Sequence, residues 1–178
     1  MIHHDQIRKT ITRYLERHPG EADRLTPLTA ALAADGDVTS RKTFTGHVTC
    51  SAIVTDPQGR VLHIRHNVLR RWLCPGGHLE PGDTSLVDAA MREVTEETGI
   101  PSTRLTLTDD VPIDVDVHPI PANPAKHEPA HWHFDLRYAF TISGDTITVA
   151  LQAEEVHDFA WLPTAQMQST ALRRKLTQ

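Results

Sequence analysis

Residues 77–100 read GHLEPGDTSLVDAAMREVTEETGI, and the fold is decided there. The second half, Arg92-Glu93-Val94-Thr95-Glu96-Glu97-Thr98-Gly99-Ile100, crowds three glutamates ahead of a glycine. Leu86, Ala89, Ala90 and Val94 recur at three-to-four spacing, which predicts a helix over 84–98. Asp83, Thr84 or Ser85 can cap its start, and Gly99 stops it. On such a helix Glu93 and Glu97 stand one turn apart on one face, with Glu96 beside both. Like charges at that spacing repel by roughly 0.2–0.5 kcal/mol per pair. A hard divalent cation, which takes oxygen ligands, is the natural partner to offset that repulsion.

The stretch resembles the box of the Nudix hydrolases. That box runs glycine, five residues, glutamate, seven residues, then Arg-Glu-apolar-x-Glu-Glu-x-Gly-apolar. Gly77 opens it here, and Arg92, Glu93, Val94, Glu96, Glu97, Gly99 and Ile100 fill its closing half. Two departures stand out: Asp83 replaces the first glutamate, and eight residues rather than seven separate it from Arg92. The extra residue falls in Thr84-Ser85-Leu86, ahead of the spacing that carries the glutamates. A glutamate-rich helix is more often a solvated face than a metal site. The joint match with Pro75-Gly76-Gly77, Arg92 and Gly99 tips the reading toward the family.

The resemblance implies an α/β/α sandwich with a mixed sheet and the box helix beside it. It implies Mg²⁺, with Mn²⁺ as an alternative, held by Glu93, Glu96, Glu97 and the Gly76 carbonyl. Arg92 would pair with a box glutamate and fix its rotamer, making Arg92, Glu96 and Glu97 the catalytic set. The general base is the least portable role; Glu96 or Glu97 comes first, and Glu154 or Glu155 second. The implied reaction is hydrolysis of a diphosphate linkage in a nucleoside diphosphate derivative or nucleoside triphosphate. Relatives are often dimers, so a homodimer is one option. A catalytically silent ligand-binding domain is the alternative function, and an isopentenyl diphosphate isomerase-like enzyme a more distant one.

Composition bounds these readings. A chain of 178 residues suits one domain with a real core. The net charge of −5 argues against a nucleic-acid polymer as partner, which would call for a basic face. A small phosphorylated substrate needs only local arginines. Cys50 and Cys74 show no metal-type spacing and read as reduced thiols, so a cytoplasmic setting is expected. No apolar run approaches the roughly 18 residues of a membrane span, and no signal-peptide core is visible.

Along the chain, residues 5–35 read as helical with a break at His18-Pro19-Gly20, giving a helical extension over 1–40 ahead of a Nudix domain over 41–178. A hairpin is expected from 47–55 and 61–65 around Asp56-Pro57-Gln58-Gly59. Further strands are expected at 105–107, 113–118, 131–140 and 146–151, and a closing helix over 164–176. Residues 119–129 hold four prolines and read as a loop. In the strand over 131–140, His131, His133, Asp135 and Arg137 share one face; Trp132, Phe134, Leu136, Tyr138 and Phe140 share the other, expected to be core. The polar face is a candidate substrate wall through His131, His133 and Arg137, with His47 able to join it. Arg65, Arg70 and Trp72 precede the box, and Arg65 and Trp72 complete the substrate-binding candidates. Asp114 and Asp116 alternate with His118 and suit an exposed strand face better than a second metal site.

Overall fold

In this computed structural model residues 1–143, 149–152, 156–167 and 169–177 are described. Strand β1 (His47–Thr55) is the axis of the sheet. It runs parallel to β7 (His131–Ile142), with His47 opposite His133 and Ser51 opposite Arg137. Its other edge pairs antiparallel with β2 (Arg60–His66) at one end and with β4 (Gly76–His78) at the other. Beyond β2 lie β3 (Trp72–Leu73) and β8 (Val156–Pro163). Beyond β7 lie β5 (Leu105–Leu107) and β6 (Asp114–Ile120). The result is one mixed sheet of eight strands.

Alternation along β1 and β7 sorts the two faces. Val48, Cys50, Ala52 and Val54 join Phe134, Leu136, Tyr138 and Phe140 in the main core. Helix α3 (Leu86–Thr98) lays Leu86, Ala89, Ala90 and Val94 on that face. Ser85 caps it by accepting from the Asp88 amide at 3.0 Å, and Gly99 closes it in the left-handed conformation at φ 68°. Helix α1 (His4–Arg17) and helix α2 (Thr26–Ala33) bury Ile7, Ile11, Tyr14, Leu28 and Leu32 in the same core. On the opposite face, helix α4 (Thr170–Leu176) sets Leu172 against Ile53 and Val61. Helices on both faces of a mixed sheet make the expected α/β/α sandwich.

Several local expectations shift. Val156–Pro163 is a strand, whereas 156–163 carried no strand signal because its Pro163 end and His157-Asp158 break the alternation. The closing helix shortens to Thr170–Leu176, after a single 3₁₀ turn at Thr164–Gln166. The strand expected over 146–151 falls mostly outside the described residues, and 149–151 are not in a strand. Trp132, expected in the core, is 37% exposed; it lies one residue before His133, where the pairing of β7 with β1 begins.

Candidate active site

Arg92 is the hub of the box. Its Nε donates to Asp83 Oδ1 at 2.9 Å, its Nη1 to Glu93 Oε1 at 3.0 Å and to Glu96 Oε2 at 2.7 Å, and its Nη2 to the His78 carbonyl at 2.8 Å. These bonds, set against burial, hold the guanidinium pKa above its ordinary value. Asp83 is 4% exposed and also accepts from the Glu80 amide at 2.7 Å. The residue that departs from the family pattern is thus an anchor that clamps Arg92 to the turn before the helix.

The three glutamates differ in setting. Glu93 and Glu97 are buried, at 9% and 3% exposure, while the Glu96 side chain is 46% exposed. Glu97 Oε2 accepts from the Gly76 amide at 3.1 Å. Glu93 lies so close to Gly77 that a Cβ there would fall 2.5 Å from Glu93 Oε1. Buried carboxylates are costly unless paired or coordinated. Glu93 and Glu97 against the Gly76-Gly77 backbone, with Glu96 on the same helix, offer oxygen donors of the kind a hard divalent ion such as Mg²⁺ takes. Among the residues expected at the site, Arg92 contacts Glu93 and Glu96, and Glu97 contacts Gly76, next to the Gly77 that faces Glu93. Glu154 and Glu155 lie outside the described residues.

Gly77 and His78 are neighbours on β4, so their side chains take opposite faces. Gly77 meets Glu93 on the helix side, and His78 meets a group of imidazoles on the other. His47 stands 5.1 Å from His78, 4.9 Å from His131 and 4.7 Å from His133, ring centre to ring centre. His118 adjoins at 5.7 Å from His133, its Nδ1 3.0 Å from Asp116 Oδ2. Burial and the neighbouring imidazoles push the His133 pKa down to about 3; burial and nearby cations, Arg41 first, push His78 down to about 4. The sequence pointed to His131, His133 and, more weakly, His47. It missed His78, because a three-residue strand carries no periodicity to show which face the residue takes.

The remaining substrate-binding candidates are more committed to the protein itself. Arg137 donates to Asp135 at 2.9 Å, to Asp114 at 3.2 Å and to Asp116 at 2.9 Å, a cage of three carboxylates on β6 and β7. Asp114 is 1% exposed rather than on an open face, and Lys175 Nζ donates to it at 2.7 Å. Cations therefore fill the place that a second metal between Asp114 and Asp116 would need. Arg65 and Trp72 pair across β2 and β3, with the guanidinium carbon 5.8 Å from the Trp72 ring centre. Arg70 sits beyond them in the turn leading to β3, exposed and at φ 51°.

Comparison with known proteins gives the family and the fold. The NUDIX domain matches residues 45–178, and the chain belongs to that family. The class the fold and the sequence define is thus the Nudix family, whose hydrolases generally use divalent metal ions. A curated relative, "Probable DHNTP pyrophosphohydrolase" from Lactococcus lactis subsp. cremoris (strain MG1363), is 35% identical over 81 residues, 46% of each chain. The chain thus spans under half the length of that relative. Among solved structures, the E. coli dihydroneopterin triphosphate pyrophosphohydrolase superposes with a TM-score of 0.56 at 21% identity, covering 72% of this chain and 91% of that one. A C. elegans Ap4A hydrolase binary complex gives 0.55 at 19% identity, covering 73% and 94%. Both show the shared fold. Among the described residues no helix is long and apolar enough to cross a membrane.

Proposed function

We propose that the protein is a Mg²⁺-dependent pyrophosphohydrolase that cleaves a diphosphate linkage in a nucleoside diphosphate derivative, a nucleoside triphosphate or a related triphosphate. The observation that carries this reading is the pair of buried carboxylates, Glu93 and Glu97, fixed by Arg92 and the Gly76 amide against a glycine strand. Glu93, Glu97, Glu96 and the Gly76 carbonyl are the ligands the site offers. A Mg²⁺ ion held by them would supply Lewis acidity toward a phosphoryl oxygen and toward the attacking water.

The chain's own residues do the rest. Asp83 holds Arg92, and Arg92 holds Glu93 and Glu96 in fixed rotamers. Glu96 or Glu97 takes the proton from the attacking water in this reading, and the greater exposure of the Glu96 side chain favours Glu96. The water oxygen bonds to phosphorus, the bridging P–O bond breaks, and two phosphorylated products leave. The names of the relatives support a triphosphate or dinucleotide among the substrates to try.

The test is a panel of sugar nucleotides, dinucleotides, nucleoside triphosphates and dihydroneopterin triphosphate with Mg²⁺, read as phosphate release after phosphatase coupling. Wild type should turn over at least one, and Glu97→Gln should lose roughly 100-fold or more, as when a preorganised charge is removed. Inactivity of wild type across the panel would favour the silent ligand-binding reading. Turnover untouched by Glu97→Gln would remove that residue from the metal site.

A further inference from the structure

We propose that His47, His78 and His133 form a second metal site, separate from the glutamates and suited to a borderline divalent ion such as Zn²⁺. Each of the three offers a ring nitrogen, and these nitrogens all lie within 4.8 Å of one another. Imidazole donors favour Zn²⁺, Ni²⁺ or Cu²⁺ over Mg²⁺, whose preference is for oxygen. The box glutamates and this trio therefore select different ions by ligand chemistry alone.

His47 carries the strongest sign of a missing partner. It is 1% exposed, and its Nδ1 faces the Thr43 carbonyl at 3.2 Å, so the proton sits on Nδ1 and Nε2 holds a bare lone pair. That Nε2 is buried with no hydrogen-bond partner among the described residues. A buried acceptor without a partner is destabilising, and a metal bond would remove that cost. Metal-bound histidines characteristically donate their second N–H to a backbone carbonyl or carboxylate, as His47 does to Thr43.

The surroundings repeat the pattern. His131 directs Nδ1 at the Pro129 carbonyl at 2.8 Å, and its Nε2 lies 3.3 Å from His133 Nε2. With His131 Nδ1 donating, His133 Nε2–H is the donor of that second bond, which leaves His133 Nδ1 with the free lone pair. Zn–N bonds of about 2.0–2.1 Å in a tetrahedron set ligand nitrogens about 3.3 Å apart. The trio thus needs to close by about 1.5 Å at most, within reach of imidazole rotation about χ2. Three strands hold the ligands: β1 for His47, β4 for His78 and β7 for His133, with β1 hydrogen-bonded to both β4 and β7. Such a scaffold positions ligands more tightly than loops would.

The experiment uses the full, tag-free chain, stripped of metal with EDTA and returned to buffer holding millimolar Mg²⁺ to fill the oxygen site. Zn²⁺ titrated by calorimetry should bind at one ion per chain. His47→Gln or His133→Gln should weaken binding roughly 100-fold or more, beyond the about 10–100-fold that loss of an outer partner brings. The double variant Glu93→Gln/Glu97→Gln should bind Zn²⁺ as wild type does. X-ray absorption on the Zn²⁺-loaded wild type should show at least three imidazole nitrogens at about 2.0–2.1 Å, a readout that stands even if a histidine variant fails to fold. Absence of saturable Zn²⁺ binding, binding indifferent to the histidine variants, binding lost in the glutamate variant, or a shell of oxygen alone would each overturn the site. No substrate enters these measurements, so they stand or fall apart from the hydrolase assignment.

Discussion

Gly77 and Glu93 meet across the gap between β4 and α3, and a Cβ on Gly77 would sit 2.5 Å from Glu93 Oε1 and 2.7 Å from its carboxyl carbon. Gly77 is not at positive φ, so what the position demands is space rather than backbone freedom. Gly77→Ala should fold, since its backbone suits alanine, but must displace the Glu93 carboxylate. A misplacement of about 1 Å at a reacting centre is enough for a loss of roughly 100-fold in rate. Mg²⁺-dependent turnover and thermal melting measured on the same sample check both halves. A variant as active as wild type would show that Glu93 gives way at no consequence.

Arg92 binds four groups with one guanidinium, and a lysine cannot. Arg92→Lys keeps the charge but loses the fork that spans Asp83, Glu93, Glu96 and the His78 carbonyl. Turnover should fall tenfold or more while the protein stays folded. Arg92→Ala leaves Asp83 buried without its cation, at a cost of about 3–5 kcal/mol as for one broken partner of a buried pair. Comparing the two melting curves separates the charge from the fork: the alanine variant should melt well below the lysine variant.

The box, its helix, the end of that helix at Gly99 and the alternation of β7 were legible because each is local. A carboxylate spacing, a helix period and a strand period all sit within about two dozen residues. The partners of Arg137 were not legible, because Asp114 and Asp116 reach it only through the register of β6 on β7, which no local pattern states. For the same reason His78 was invisible as a neighbour of His47 and His133. Asp83 looked like a defect of the box, and its bond to Arg92 across the inserted residue shows how a shorter carboxylate is accommodated.

The helical extension over 1–40 was read as an addition to the domain, and family similarity begins at residue 45. Yet Ile7, Ile11, Tyr14, Leu25, Leu28 and Leu32 are all 4% exposed or less and sit in the same core as Phe134 and Leu136. Removing six such side chains strips the core face they cover and forfeits roughly 1.5–3 kcal/mol each, about 9–18 kcal/mol together. That is comparable to the whole stability of a domain of this size. A chain starting at residue 41 should therefore be insoluble or molten. A cooperative melt from that fragment would show that the core closes without α1 and α2.

Lys175 ties α4 to the first helical pair. Its Nζ donates to Glu21 at 2.8 Å, to Asp114 at 2.7 Å and to the Tyr14 hydroxyl at 2.6 Å. Burial tends to raise the Glu21 pKa, but hydrogen bonds from Lys175, Tyr14 and Arg24 prevail and hold it down at about 2. The unfolded chain titrates this group near the ordinary value of about 4.3. A carboxylate whose folded pKa lies below its unfolded one adds stability that is complete above the unfolded value. That stability drains away as the pH falls from about 4.3 toward 2, because the unfolded state takes up the proton first. Glu21→Gln should flatten this part of the acid limb in a plot of Tm against pH. Lys175→Met should lower Tm at neutral pH, by about 3 kcal/mol of stability since Arg24 and Arg137 still face Asp114, and move the remaining acid transition toward higher pH. An acid limb identical in wild type and Glu21→Gln would mean that the loss at low pH comes from other carboxylates, with Asp116, also held at about 2 by His118 and Arg137, the first to test.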